Sequence, residues 1–328
     1  MNFELLKRSM MKDYIIKKLL LLVPTVLAIT FLVFSMMQLI PGDPIHLLLG
    51  DMYDQRAADE LRHEYGLDQP LIVQYVRWLA RLAQGDWGRS IFTHRPVLED
   101  ILYRIPISLE LLVFSMVLAL LISVPAGVIS AVRPYTALDY SVMTVAMLGV
   151  SMPDFFLGIL LFLLFSLTLG WLPVQGYVPF TTSVVENLSH MLLPALALGL
   201  ARCAILTRLV RASMLEVVKL DYVTTARAKG VMEFLVVNKH ALKNALIPTI
   251  TVVGLQIGFL IGGAIVIEAV FGIPGLGTFG VQGITKRDYQ QVQGFILIVA
   301  LMFVLSNLLV DISYAYFDPR IRYEEKGQ

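Results

Sequence analysis

The chain has 328 residues, of which 57% are apolar and only 16% charged, with a formal net charge of +1. An ordinary soluble domain is about a quarter charged; a cytosolic domain would need an unusually large core to bury this chain, whereas a bilayer is its natural solvent. The net charge says nothing by itself about partners, though no nucleic acid is expected among them, and the single cysteine, Cys203, excludes an intrachain disulfide and a thiolate metal cluster.

Residues 1–18 form a basic tail carrying Lys7, Arg8, Lys12, Lys17 and Lys18. The uncharged run 19–40 follows. A spanning helix needs about 20 apolar residues, and no small-residue cleavage site ends this run, so it reads as a retained first transmembrane helix rather than a signal peptide. It stops at the turn Pro41-Gly42-Asp43-Pro44. Residues 41–106 form a polar segment with apolar residues at helical spacing over 55–65 and 72–82, broken at Gly66 and Gly85, which predicts short amphipathic helices.

Residues 107–317 read as a five-helix core. Its apolar runs are 111–132, 141–169 (interrupted only by Asp154), 191–210 (with Arg202 and Arg208), 247–267 and 292–310. Six spans place both termini on one side. Arg133, the basic group from Arg202 to Lys243, and Arg320, Arg322 and Lys326 fall on the side of the basic N-terminus, while the short loop 170–190 has no Lys or Arg. The positive-inside rule therefore predicts cytoplasmic termini, an extracytoplasmic segment 41–106, an inner loop 211–247 and a cytoplasmic tail 318–328.

Signals of catalysis are missing. The sequence has no phosphate-cradling G-x-x-x-x-G-K-[ST] loop, no H-E-x-x-H helix and no G-x-S-x-G elbow. His46, His63, His94, His190 and His240 are scattered, so no metal site is expected. The chain reads as a non-enzyme whose energy source is another polypeptide or an ion gradient. A secondary transporter would show related halves with interrupted helices, and no such pairing is found.

Several polar or small residues sit at membrane depth. Counting 1.5 Å per residue, Asp154 lies roughly 20 Å and Arg202 roughly 14 Å from the inner ends of their helices. An arginine side chain bridges that difference. An isolated ion there costs at least about 3 kcal/mol, so the two either pair or face an aqueous pathway; alternatively Arg202 snorkels and Asp154 caps a helix restarted after Pro153. Met152 and Gln256 are further candidates for a translocation pathway. Gly254, Gly258 and Gly262 recur every four residues and predict close helix packing, within this chain or against a partner.

The inner loop contains Asp221-Tyr222-Val223-Thr224-Thr225-Ala226-Arg227-Ala228-Lys229-Gly230, a short helix of small and basic residues stopped by Gly230. Small residues let such a helix sit in a groove, and Arg227 and Lys229 can meet acids on a partner; the alternative is an ordinary solvated loop. His240-Ala241-Leu242-Lys243-Asn244-Ala245-Leu246-Ile247-Pro248 then re-enters the membrane.

These two stretches resemble the form of the coupling-helix motif found in permeases of dipeptide, oligopeptide and nickel ABC importers. Further pieces match that family in order: Pro41-Gly42-Asp43-Pro44, Gly66-Leu67-Asp68-Gln69-Pro70, Gly85-Asp86-Trp87-Gly88, Phe271-Gly272-Ile273-Pro274-Gly275-Leu276-Gly277, Arg287-Asp288-Tyr289 and Asp318-Pro319-Arg320. The resemblance implies an all-α membrane protein of the type I ABC importer permease kind, with six transmembrane helices and an extracytoplasmic helical insertion after the first. It implies a bacterial inner-membrane location and the import of peptides, with nickel or other metal chelates, or glutathione, as the alternative cargo. The implied partners are a paralogous second permease, two cytosolic ATPase subunits, an extracytoplasmic substrate-binding protein and membrane lipid. No cofactor is expected on this chain; ATP and magnesium belong to the ATPases. Asp221, Tyr222, Thr224, Thr225, Ala226, Arg227, Ala228, Lys229 and Gly230 are the implied ATPase-coupling residues. The general importer motif begins with a glutamate six residues before its glycine. Here that position is Thr224, which leaves Arg227 or Lys229 to supply the polar contact.

Overall fold

The structure, a computed structural model, describes residues 20–21, 23–36, 45, 49, 54–64 and 66–317, and of the side chains in this set not those of 64, 251 and 311–317. The tails 1–18 and 318–328, the ends of the first apolar run and the turn at Pro41-Gly42-Asp43-Pro44 lie outside the described residues. Among the described residues there is no strand, only an isolated bridge between Arg89 and Pro96.

The helices in chain order are α1 (Val23–Met36), α2 (Gln55–Glu64), α3 (Leu71–Ala83), α4 (Val97–Val132), α5 (Ala137–Ser151), α6 (Asp154–Leu161), α7 (Val184–Val217), α8 (Asp221–Ala228), α9 (Glu233–Leu235), α10 (Leu242–Ala245), α11 (Ile247–Phe271), α12 (Leu276–Lys286) and α13 (Tyr289–Phe317). Seven residues of π-helix, Phe162–Thr168, continue α6, and another π-helical stretch, Val236–Ala241, joins α9 to α10. Among the described residues four helices are long and apolar enough to cross a membrane, α4, α7, α11 and, over Tyr289–Val310, α13, or five if the bent pair α5 and α6 is one span. The first expected span appears as the shorter apolar helix α1.

The expected span 141–169 is not one straight helix. It breaks at Met152-Pro153 into two pieces bent by 105°. Proline has no N–H for the helical ladder and pushes the residue before it out of the α region; Met152 is extended, at φ −108° and ψ 137°. Counting depth by helical rise along this segment is therefore invalid past residue 151.

The chain divides into two compact units. One joins residues up to Ser108 with Pro274–Leu305. Its core includes Ile91, Val97, Ile101, Phe279, Val292 and Phe295, all buried. Asp288 organises this unit. It precedes α13 and accepts a hydrogen bond from the Gln291 N–H at 3.2 Å, as an N-cap aspartate does. The same carboxylate accepts from Ser90 Oγ at 2.5 Å and from the Ile91 N–H at 3.1 Å, which ties the loop before α4 to the start of α13.

The other unit joins Leu109–Ile273 with the residues from Ser306 onward. α7 is its centre, with small or apolar buried positions along its whole length, among them Ala195, Ala197, Leu198, Gly199, Leu206 and Val210. α5, α6 and α11 all pack on it. Ser183 caps its start, accepting from the Glu186 N–H. At 34 residues α7 is roughly 51 Å long, more than a roughly 30 Å hydrocarbon core requires. Its last turns lead to α8 across only three intervening residues.

Candidate functional site

α8 covers the first eight residues of the predicted Asp221–Gly230 helix. Val223 and Ala226, three residues apart and so on one face, are buried in an apolar cluster with Val210 and Met214 of α7, Ala131 of α4, and Val236, Val237, Ala241 and Ala245. The remaining residues from Asp221 to Gly230 are exposed. Gly230 closes the helix at φ +75°. Its N–H donates to the Arg227 carbonyl at 2.9 Å, and the Val231 N–H donates to the Ala226 carbonyl at 3.3 Å. That bond pair is the Schellman motif, which requires the left-handed conformation glycine adopts without strain.

Side chains brace the helix as well. Tyr222 Oη donates to the His240 carbonyl at 3.2 Å and accepts from Asn244 Nδ2 at 2.8 Å, linking α8 to the stretch that leads into α11. Thr225 Oγ1 donates to the Asp221 carbonyl, and Thr224 Oγ1 to the Leu220 carbonyl. Arg227 turns back on its own chain. Its Nη2 and Nε donate to the Glu233 carboxylate at 2.7 and 3.0 Å, and the guanidinium holds the Glu233 carboxyl below the usual carboxylate range. Of the two cations offered for a partner contact, Arg227 is thus engaged within the chain, and Lys229 stands exposed beside Gly230.

Asp154 and Arg202 come together: Arg202 Nη2 donates to Asp154 Oδ2 at 3.3 Å. α11 leaves room for them at Gly263, where a Cβ would stand 3.1 Å from Asp154 Oδ2. Pro153 holds the N-cap position of α6, and Asp154 is the first residue of the helix, where a carboxylate complements the helix N-terminus. The pair is loosely made. Charge-assisted bonds of this type are normally 2.7–2.9 Å; Arg202 Nε is buried without a partner among the described residues, and the side chains remain 16% and 20% exposed. Met152, adjacent in sequence at the break, is exposed. Gln256 is buried on α11, roughly 10 Å along the helix from Gly263, and bonds to neither ion.

The predicted glycine stripe divides. A Cβ at Gly254 would meet Val310 at 2.6 Å, so α11 and α13 approach closely there. Gly258 is buried, whereas Gly262 is exposed and faces open space; its neighbour Gly263 makes the close approach instead.

Two polar clusters escaped the sequence reading. Asp139, buried in the first turn of α5, accepts from Arg211 Nε and Nη2 at 2.7 Å each, from the Tyr135 N–H at 2.9 Å and from Ser130 Oγ. It clamps α4, α5 and α7 together close to α8. Glu110 of α4 accepts from Tyr177 Oη at 2.8 Å and from Asn187 Nδ2 of α7 at 2.5 Å. Acids at the ends of apolar runs were the available signal, but their partners lie 67 to 77 residues away.

This helical architecture is that of a type I ABC importer permease. In fold it is similar to the inward-facing MetNI methionine ABC transporter, with a TM-score of 0.55 at 18% identity over 67% of this chain and 96% of that one. The sequence assigns it further: the chain belongs to the family of binding-protein-dependent transport system inner membrane components, matching that family over residues 123–323 and its N-terminal region over residues 10–112. It is 42% identical to a dipeptide transport system permease protein, DppB, of Alkalihalophilus pseudofirmus, over 95% of this chain and 100% of that one. It is 42% identical to the oligopeptide transport system permease protein AppB of Bacillus subtilis, with the same coverage. It is 44% identical to the glutathione transport system permease protein GsiC of Escherichia coli, over 96% of this chain and 100% of that one. The chain is a membrane-spanning permease subunit that works with the other components of an ABC importer.

Proposed function

We propose that this chain builds one half of the pathway through which an importer takes up peptides, from dipeptides to short oligopeptides and glutathione. Relatives above 40% identity over nearly the whole chain carry those cargoes in their names. In this reading a paralogous permease builds the other half, and an extracytoplasmic binding protein delivers the cargo. Two cytosolic ATPases bind ATP and magnesium, and this subunit itself performs no catalysis. Both termini and α8 then lie in the cytoplasm, following the distribution of Lys and Arg.

The observation that carries the coupling role is the construction of α8. One face is anchored through Val223 and Ala226 to the ends of α4 and α7, Tyr222 ties it to the approach to α11, and the other face is open. A push on such a helix reaches three spans at once. Arg227, held by Glu233, shapes the surface, and Lys229 offers the charge. Asp154 and Arg202 are the pathway residues in this reading: a part-exposed, under-bonded ion pair beside a helix break offers one charge of each sign to a zwitterionic peptide.

Replacing residues 221–230 with a flexible Gly/Ser linker is the direct test. The ATPase subunits should co-purify with the intact chain and be lost from the variant, while the second permease stays associated. Retention of the ATPases by the linker variant would rule α8 out as the coupling element.

A further inference from the structure

α3 belongs to the segment that the sequence places outside the membrane, yet its contacts are with the first span at membrane depth. Tyr75 Oη lies 3.1 Å from Thr30 Oγ1 and 3.4 Å from the Leu27 carbonyl oxygen. Its ring meets Phe31 edge-on at 5.8 Å and Phe34 at 5.5 Å, and Trp78 stacks on Phe34 at 6.3 Å. Residues 27–34 lie wholly within the uncharged run 19–40. Thr30 is near its middle, roughly 15 Å from either end. A helix standing in water above the bilayer would not reach these positions.

The sequence of α3 sorts into three arcs. At about 100° per residue, the apolar residues cover roughly 200° of the circumference, about twice the stripe a helix needs to pack on one neighbour. Tyr75 and Trp78 face α1. Ile72 and Val76, one turn apart, form a second apolar arc that is open among the described residues; they are 79% and 57% exposed. The polar arc carries Gln74, Arg77 and Arg81. It looks into a cavity of about 440 Å³ lined also by His63, Asp86 and Gln293. Charged groups at membrane depth are tolerated where they line such a polar cavity.

We infer that α3 is embedded in the bilayer beside α1, with its Ile72–Val76 arc against lipid acyl chains and its arginine arc turned to a hydrated cavity. The occupant is assigned by continuity. The arc belongs to a helix seated on α1, where Phe31, Leu32 and Met36 are themselves more than half exposed on a membrane span. Apolar residues facing lipid with arginines at the polar edge is the pattern of interfacial helices. Only the identity of the leaflet, the extracytoplasmic one, rests on the orientation proposed above.

The test uses the complete importer in lipid nanodiscs, with Cys203→Ala as background. Bimane attached at Ile72→Cys or Val76→Cys should be quenched several-fold more by acyl-chain doxyl lipids than by iodide, and at Arg77→Cys or Arg81→Cys the order should reverse. A photoactivatable diazirine lipid, applied to the unaltered protein, should label residues 71–79 and so guard against misassembled variants. Iodide quenching at 72 and 76 would place the arc in water and overturn the inference. Screening from both quenchers, without lipid labelling, would mean that a protein covers it, and would overturn the inference equally.

Discussion

Asp288 accepts three hydrogen bonds while fully buried, and its position has a measurable cost. Burial pushes its carboxyl above the usual carboxylate range, against the opposing pull of Ser90 and the backbone donors. The unfolded chain releases this proton near pH 4, whereas the folded chain holds it to higher pH. The group's contribution is therefore complete below about pH 4 and declines as pH rises through the folded value. Asp288→Asn, which stays neutral, removes this dependence. Thermal unfolding of the purified importer should show the wild type losing more stability than the variant as the pH is raised from 4 to 7; equal losses would deny Asp288 a raised value. In the sequence this residue was visible only as part of an Arg-Asp-Tyr match. Its partner Ser90, 198 residues away, was not legible.

Among elements, the joint of α5 with α7 has the clearest energetic prediction. Asp139 and Arg211 make a bidentate pair, with Asp139 almost wholly buried and Arg211 22% exposed. Removing one partner of a buried pair strands the other and costs about 3–5 kcal/mol; the partial exposure of Arg211 favours the lower end. Asp139→Ala and Arg211→Ala should each destabilise by about 3 kcal/mol, and the double variant by little more than either, because both lesions remove the same interaction. Additive losses in chemical denaturation would show that the two residues act separately. The helices themselves were legible from apolar runs, and α8 from its small residues and stopping glycine. A helix restarting after Pro153 was one of two sequence alternatives, but the 105° bend there was not legible, because hydropathy is blind to a proline inside an apolar run. Nor could periodicity separate Gly262, which faces open space, from Gly263, which meets Asp154.

At the scale of the whole molecule the question is whether Asp154 and Arg202 serve the traffic of charged cargo. Charge reversal at either residue alone leaves two like charges in a part-buried site and should abolish uptake of a radiolabelled dipeptide in cells carrying the importer. The double swap, Asp154→Arg with Arg202→Asp, should restore a substantial part of it. A double swap as inactive as the singles would reject the pair as an interacting unit. The contrast with Asp139 and Arg211 motivates the experiment: a structural clamp is short and fully bonded, while this pair is long, singly bonded and reachable.

The amino-acid sequence alone determined the solvent of this protein, its helical class, the approximate positions of the long apolar helices α4, α7, α11 and α13, and the short helix α8. Those properties follow from local chemistry, the length of an apolar run, the placement of Lys and Arg, a glycine where a helix must stop, and all of it lies within a few turns of chain. Tertiary structure alone decided which acid meets which base, which glycine admits a neighbour, and that a helix counted as extramembranous rests on the middle of the first span. Those choices depend on contacts between residues 40 to 200 positions apart, where packing and desolvation act and sequence spacing carries no information.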